Sequence, residues 1–267
     1  MPYARIGDST IHYWRQGTGP AVVLLHGFPL DATMWRAQLD GLSARWTVIA
    51  PDLRGFGKSR PASPFTIEDL ADDVHELLAQ TGVLPCVVGG LSMGGYVSFA
   101  YARRHGADLR GLLLIDTRAE ADTPEARENR LKMIEKCRAG GARAVADEME
   151  PRMTGPDCPP EVRTALRAMM ESCPVDTIEY ALMAMRQRDD YRAALTSIAV
   201  PALIIVGAND VITPPSLAQS MHQAIPGSQL CIIERAGHMA PMENPAAVNA
   251  AIDGFMARLQ GNASARR

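Results

Sequence analysis

Basic residues are not in excess in this 267-residue sequence: 27 Lys and Arg stand against 30 Asp and Glu, for a formal net charge of −3. Polyanion-binding surfaces carry a strong basic surplus, so this balance argues against nucleic acid as a partner. Long apolar runs are missing too. The stretches 21–25 and 112–115 are strand-sized and far short of a bilayer crossing, so no membrane partner is expected. Residues 1–8 lack a basic head followed by an apolar stretch, which argues against a secretory signal. Cysteine is sparse. The five (Cys86, Cys137, Cys158, Cys173 and Cys231) are odd in number and include no C-x-x-C pair. Cys86 and Cys231 fall in apolar, strand-like runs, where a reduced thiol acts as a small hydrophobe. Inert buried thiols and a reducing cytoplasm are the expectation. Histidines and cysteines never cluster at ligand spacing, and no dinucleotide fingerprint occurs, so neither a metal nor a cofactor is expected.

What is present is ordinary globular composition, 47% apolar and 21% charged, in a length that suits one large domain or a domain with an insertion. No repeat or low-complexity tract occurs. Short apolar runs alternate with amphipathic stretches, the rhythm of α/β architecture. Strands are expected over 11–15, 21–25, 47–50, 86–88, 111–115, 201–207 and 229–233, and helices over 33–44, 94–104 and 246–259 and from about residue 215. Thr66 followed by Asp69, with Leu70, Val74, Leu77 and Leu78 behind them, reads as a capped helix. Between about 118 and 198 the β-branched runs stop. Glu, Arg, Ala and Met recur there at helical spacing, broken by Pro151, Gly155-Pro156, Pro159-Pro160 and Pro174. This segment reads as helices inserted into a core made of 1–117 and 199–267. The tail 261–267 is small and polar and reads as frayed.

Gly90-x-Ser92-x-Gly94 lies between an expected strand and an expected helix, the context that gives G-x-S-x-G its chemistry. The serine must occupy a sharp, strained turn, and glycines at 90 and 94 leave room for it. A serine hydroxyl needs a base within reach, and histidine suits because it titrates near working pH. Of six histidines, His75, His105 and His222 lie in helical segments and His12 in the first hairpin. His238, in the loop before the last helix, sits at the carboxyl end of the sheet where ligands bind. An acid must orient it. Asp210 leaves the strand 201–207 at that edge and is favoured; Asp116, ending the strand 111–115, competes. Two N–H donors are needed for a tetrahedral oxyanion. Met93, after the nucleophile, supplies one, and Phe28, in the loop after 21–25, the other. His26 is read as a brace for that loop. Pro29 has no N–H and stiffens the backbone next to Phe28.

His26-Gly27-Phe28-Pro29, residues 52–59 (DLRGFGKS), residues 90–95 (GLSMGG), residues 207–210 (GAND) and Gly237-His238 resemble the signature series of the α/β-hydrolase superfamily, in its order of serine, acid, histidine. The resemblance covers about 1–118 and 199–260 and is greatest to small carboxylesterases, cofactor-free perhydrolases and 3-oxoadipate enol-lactonases. It implies an eight-stranded, mostly parallel sheet flanked by helices with an inserted helical cap. It also implies that Ser92, His238 and Asp210 form a triad served by Phe28 and Met93. Serine rather than aspartate at 92 sets aside dehalogenases and epoxide hydrolases. Asp52 is expected to form a turn. The resulting expectation is a serine hydrolase acting on a small carboxylic ester or lactone. The alternatives are perhydrolysis, C–C bond hydrolysis or a lyase step on the same triad, and a non-catalytic binding protein on the same fold. Nothing fixes the substrate or the oligomeric state. Met133, Met149, Met153, Met169, Met170, Met183 and Met185 suit an adaptable apolar pocket, with core packing as the plainer account of each one. Arg118 and Arg130 could hold a substrate carboxylate, with solvated helix surface as the plainer account.

Overall fold

The computed structural model describes residues 2–61 and 63–265. Alternation along the strands builds its centre. In β3 (Ala21–Leu25) every residue is buried; Val22 and Leu24 join one apolar cluster, while Ala21, Val23 and Leu25 join another. A period of two with both faces apolar is what a strand covered on both sides requires. Around it lie β1 (Tyr3–Ile6), β2 (Ser9–Gln16), β4 (Thr47–Pro51), β5 (Cys86–Leu91), β6 (Leu109–Ile115), β7 (Ala202–Gly207) and β8 (Gln229–Ile233). They form one eight-stranded sheet in the order β1-β2-β4-β3-β5-β6-β7-β8. β2 runs antiparallel to β1 and β4, and the pairs from β4 through β8 are parallel.

Helices cover both faces. On one, α2 (Ile67–Thr81) and α3 (Met93–His105) supply Leu70, Val74, Val97 and Tyr101. On the other, α1 (Arg36–Leu42) and α9 (Pro245–Ala265) supply Leu39, Val248, Ile252 and Phe255. Thr66 caps α2 as expected: its hydroxyl accepts from the Asp69 N–H while the Asp69 carboxylate accepts from the Thr66 N–H. Between β6 and β7 come α4 (Pro124–Met153), α5 (Pro160–Ser172) and α6 (Val175–Gln187). Beyond β7 lie α7 (Pro215–Ala224) and the short α8 (Ala240–Glu243). No helix among the described residues is long and apolar enough to cross a membrane.

Three sequence expectations need correction. The segment 33–44 starts as a tight 3₁₀ turn, Ala32–Trp35, capped by Asp31, and only then becomes α1. Pro151 does not break its helix, which runs on to Met153; the break is at Gly141, whose φ of 69° no α-helix accommodates. The tail is helical through Ala265, since it holds no proline and one glycine costs only about 1 kcal/mol; Arg266 and Arg267 lie outside the described residues. All five cysteines are free thiols, four of them buried and Cys231 half-buried. Burial pushes the Cys86 thiol up to about 12, which keeps it protonated and unreactive.

Candidate active site

Ser92 joins β5 to α3 with φ 54° and ψ −111°. A non-glycine residue there is strained by about 1–3 kcal/mol, so neighbours must hold it. They do so from β6. The Ser92 N–H donates to the Ile115 carbonyl at 3.0 Å, and the Ser92 carbonyl accepts from the Thr117 hydroxyl at 2.8 Å and from the Gly95 N–H at 2.9 Å. Space is equally constrained. A Cβ on Gly90 would come within 2.6 Å of the Leu25 carbonyl oxygen, and one on Gly94 within 2.3 Å of the same atom. The loop leaving β3 lies against the turn, for a Cβ on Gly27 would sit 3.5 Å from the Ser92 Cβ. Phe28 follows in that loop, joined to Pro29 by a cis peptide bond, and Met93 is the first residue of α3.

His26 braces this loop. Its buried ring accepts the Leu53 N–H at Nε2 (3.0 Å), so Nδ1 carries the proton and donates to the Gly27 carbonyl at 2.9 Å. Burial pushes its pKa down, favouring that neutral tautomer. Asp52 holds the adjoining turn. Its carboxylate accepts from the Ala32 and Lys58 N–H groups, each at 2.8 Å, and lies 2.8 Å from His12 Nδ1.

At the carboxyl ends of β7 and β8 the His238 Nδ1 donates to Asp210 Oδ2 at 2.8 Å, both residues being buried. Asp210 also accepts from the Ile212 N–H (2.8 Å), the Thr213 N–H (3.0 Å) and the Thr213 hydroxyl (2.6 Å). Burial alone would raise its pKa; the His238 ring and the Thr213 hydrogen bonds outweigh this and hold it at about 2. Asp116 has a different partner. Fully buried at the end of β6, it accepts the Gly207 N–H at 2.7 Å, and burial together with nearby Asp210 pushes its pKa well up.

Two supporting residues escape a sequence reading. Thr213 is announced only by its spacing of three from Asp210, as in an Asx-type turn. Glu243 has no signal. Its carboxylate accepts from Gly237 (2.9 Å) and Met239 (3.2 Å), on either side of His238, and from Gly155 (2.7 Å) in the inserted segment. One side chain thus pins the histidine loop and ties it to the loop between α4 and α5.

Beside the site opens a cavity of about 680 Å³, with Phe28 and Ile212 on the core side and Met133, Met149 and Leu182 on the inserted helices. Only two of the seven methionines considered above line it. Met153, Met169, Met170 and Met185 are buried in the core and Met183 packs against it. Arg118 and Arg130 are not merely solvated surface: both line the cavity, and both bind the buried Asp122, at 3.0 and 2.8 Å. No group of three or more His, Cys, Asp or Glu among the described residues is placed to hold a metal.

The sequence pattern of the alpha/beta hydrolase fold family matches residues 20–245. The chain belongs to this family. An esterase from Thermogutta terrifontis, solved with malate bound, is similar at 42% identity over 96% of each chain, with a TM-score of 0.92. An enol-lactonase from Burkholderia xenovorans is 30% identical, covering 96% of this chain and 100% of its own, with a TM-score of 0.89. A pimeloyl-[acyl-carrier protein] methyl ester esterase of Neisseria meningitidis is 32% identical over 238 residues, 86% of this chain and 91% of the relative. The fold and these relatives make the chain a hydrolase.

Two outcomes follow from the geometry. Because the folded pKa of Asp210 lies near 2, below its ordinary 3.8, its stabilisation is complete above about pH 4 and disappears as pH falls toward 2. Urea unfolding of the wild type and Asp210→Asn should therefore show a stability gap that narrows by about 2 kcal/mol across that window. A gap independent of pH would contradict the pairing. In Glu243→Gln the amide nitrogen must face at least one of the three N–H donors. Hydrogen exchange at Gly155, or at Gly237 and Met239, should then quicken about tenfold or more. Unchanged protection at all three would show that Glu243 pins neither loop.

Proposed function

We propose that this hydrolase cleaves a small carboxylic ester or lactone through an acyl-enzyme on Ser92, with His238 as general base and Asp210 as the acid that orients it. The observation that carries this reading is the buried Asp210–His238 hydrogen bond, on the sheet edge where Ser92 stands in its strained turn. The Asp210 contact fixes the proton on Nδ1, which leaves Nε2 as the basic nitrogen. In the proposed sequence Nε2 takes the hydroxyl proton as Ser92 Oγ bonds to the carbonyl carbon. The N–H groups of Phe28 and Met93 receive the oxyanion. His238 then returns its proton to the departing alkoxide, and the C–O bond breaks. Water, deprotonated by the same nitrogen, attacks the acyl carbon; the bond from that carbon to Ser92 Oγ then breaks as His238 returns the proton to Oγ, and the acid leaves.

Ester and lactone hydrolysis are favoured because the similar proteins include an esterase, an enol-lactonase and a methyl ester esterase. Perhydrolysis, C–C bond hydrolysis and a lyase step would draw on the same residues. The inserted helices over 118–198 serve in this reading as a cap over the cavity, and the free thiols suit a reducing cytoplasm.

Ser92→Ala should lower hydrolysis of p-nitrophenyl esters by about 10⁴-fold or more, with an unchanged unfolding midpoint. A variant that keeps a tenth of wild-type turnover would remove Ser92 from the role. For the acid, steady-state kinetics should show kcat falling steeply in Asp210→Asn with little change in KM, and far less in Asp116→Asn. The opposite ranking would transfer the role to Asp116. EDTA should leave wild-type rates unchanged.

A further inference from the structure

We propose that the cavity receives a carboxylate carried by the substrate, and that Arg118 is the residue that binds it. The proposal rests on the ester or lactone reading above and names its substrate class: an ester or lactone with a free carboxylate at its far end.

Charge distribution is the first argument. The whole chain is slightly acidic, yet the cavity wall presents Arg118, Arg130, Lys132, Lys136 and Arg152 against a single carboxylate, Glu148. Glu148 is engaged by Lys136. Behind the wall, Asp122 is shared among three guanidinium groups, since Arg188 joins Arg118 and Arg130 at 2.8 Å. Burial would raise the Asp122 pKa, but hydrogen bonds and charge from Arg130 and Arg188 reverse this and keep it ionised. One anion cannot neutralise three cations. Among the described residues, the side chains of Lys132 and Arg152 make no ion pair or hydrogen bond. A wall of like charge is unfavourable for the empty protein and favourable once an anion enters.

Position singles out Arg118. It follows Thr117, whose hydroxyl holds the Ser92 carbonyl, so it leaves β6 directly beside the nucleophile turn. Its Nη2 is held by Asp122 at 3.0 Å while the side chain lines the cavity. A guanidinium anchored at one nitrogen still has donors to offer a carboxylate that enters. Asp122 thus serves to aim Arg118, while Lys132 and Arg152 raise the local potential. The remaining cavity wall, from Phe28, Met133, Met149, Leu182 and Ile212, is apolar and suits the methylene spacer between the carboxylate and the scissile bond.

The test compares monomethyl esters of C4 to C8 dicarboxylic acids with the matching methyl esters whose far end is a neutral amide. For at least one length the acid should be preferred by about tenfold or more in kcat/KM, a single charge-assisted contact being sufficient. That preference should shrink as salt is raised and collapse in Arg118→Gln. Lys132→Gln, on the cavity rim, should weaken the salt dependence, and it provides a second variant should Arg118→Gln fail to fold. Calorimetry on Ser92→Ala separates recognition from turnover: the acid ester should bind measurably tighter than the amide even where no hydrolysis is seen. Inorganic phosphate at equal ionic strength should not displace it. Equal use and equal binding of acid and amide would overturn the proposal and leave the hydrolase reading intact. A preference that survives in Arg118→Gln would remove Arg118 from the role, and displacement by phosphate would overturn the carboxylate as the ligand.

Discussion

The backbone of Ser92, at φ 54°, is the constraint from which the site geometry follows. A serine cannot rest there unaided, and its support comes from the end of β6, from the turn after it and from the first turn of α3. Ile115 takes the Ser92 N–H, and Thr117 binds the Ser92 carbonyl. With those bonds made, the residues between and beyond them have fixed directions. Asp116 goes inward under the start of the Asp210 loop, and Arg118 goes outward to the cavity. The same turn forbids side chains at Gly90 and Gly94, because the Leu25 carbonyl passes too close. Strain at one residue therefore determines which neighbours are glycine, which is threonine, and where the chain turns toward the inserted helices.

Four buried carboxylates and the half-buried Glu243 serve this region, and their partners set what each can do. Asp52 and Glu243 face backbone N–H groups and hold loops. Asp122 faces only guanidinium groups and aims them. Asp210 faces an imidazole and is held near 2, ready to stabilise positive charge on that ring. Asp116 faces one N–H and another carboxylate, and its pKa moves the other way. Two carboxyl groups pushed in opposite directions are not interchangeable, although both leave strands at the same edge. This contrast is the electrostatic reason for assigning the proposed orienting role to Asp210.

The core of the fold was legible because its signals are local: a period of two within strands, a capping pair at Thr66 and Asp69, and glycines around Ser92. His238 and Asp210 were singled out the same way, each in a short loop after a strand, and the structure brings the two side chains together. Three features were not legible. The Gly141 break was masked by nearby Pro151, since proline is the stronger breaker in a helix interior, yet here it lies two residues from the helix end. Glu243 is the polar last residue of the short α8, and its task depends on Gly155, 88 residues away. The methionines of 118–198 have the same sequence character, but only tertiary packing decides that Met133 and Met149 reach the cavity while Met153 and Met170 are buried in the core.

The distribution of these contacts bears on how such a site can change its substrate without losing its chemistry. The proposed catalytic groups stand on strand ends and depend on backbone geometry, which tolerates little variation. In the proposed reading, recognition rests on side chains of the inserted helices and on Arg118. Among the points where the two parts meet are the Glu243 bridge to Gly155, the Thr117–Arg118 step, and Arg188 lying 4.0 Å over the ring of Tyr96, four residues after the nucleophile. Exchanging a cavity side chain such as Lys132 alters none of these connections. Exchanging Asp122 would, because Arg118, Arg130 and Arg188 would lose their common counter-ion and be left as three neighbouring cations. Substrate charge is thus set by residues of two kinds, a rim that can vary freely and a buried anchor that holds the inserted helices to the nucleophile helix while it aims the cations.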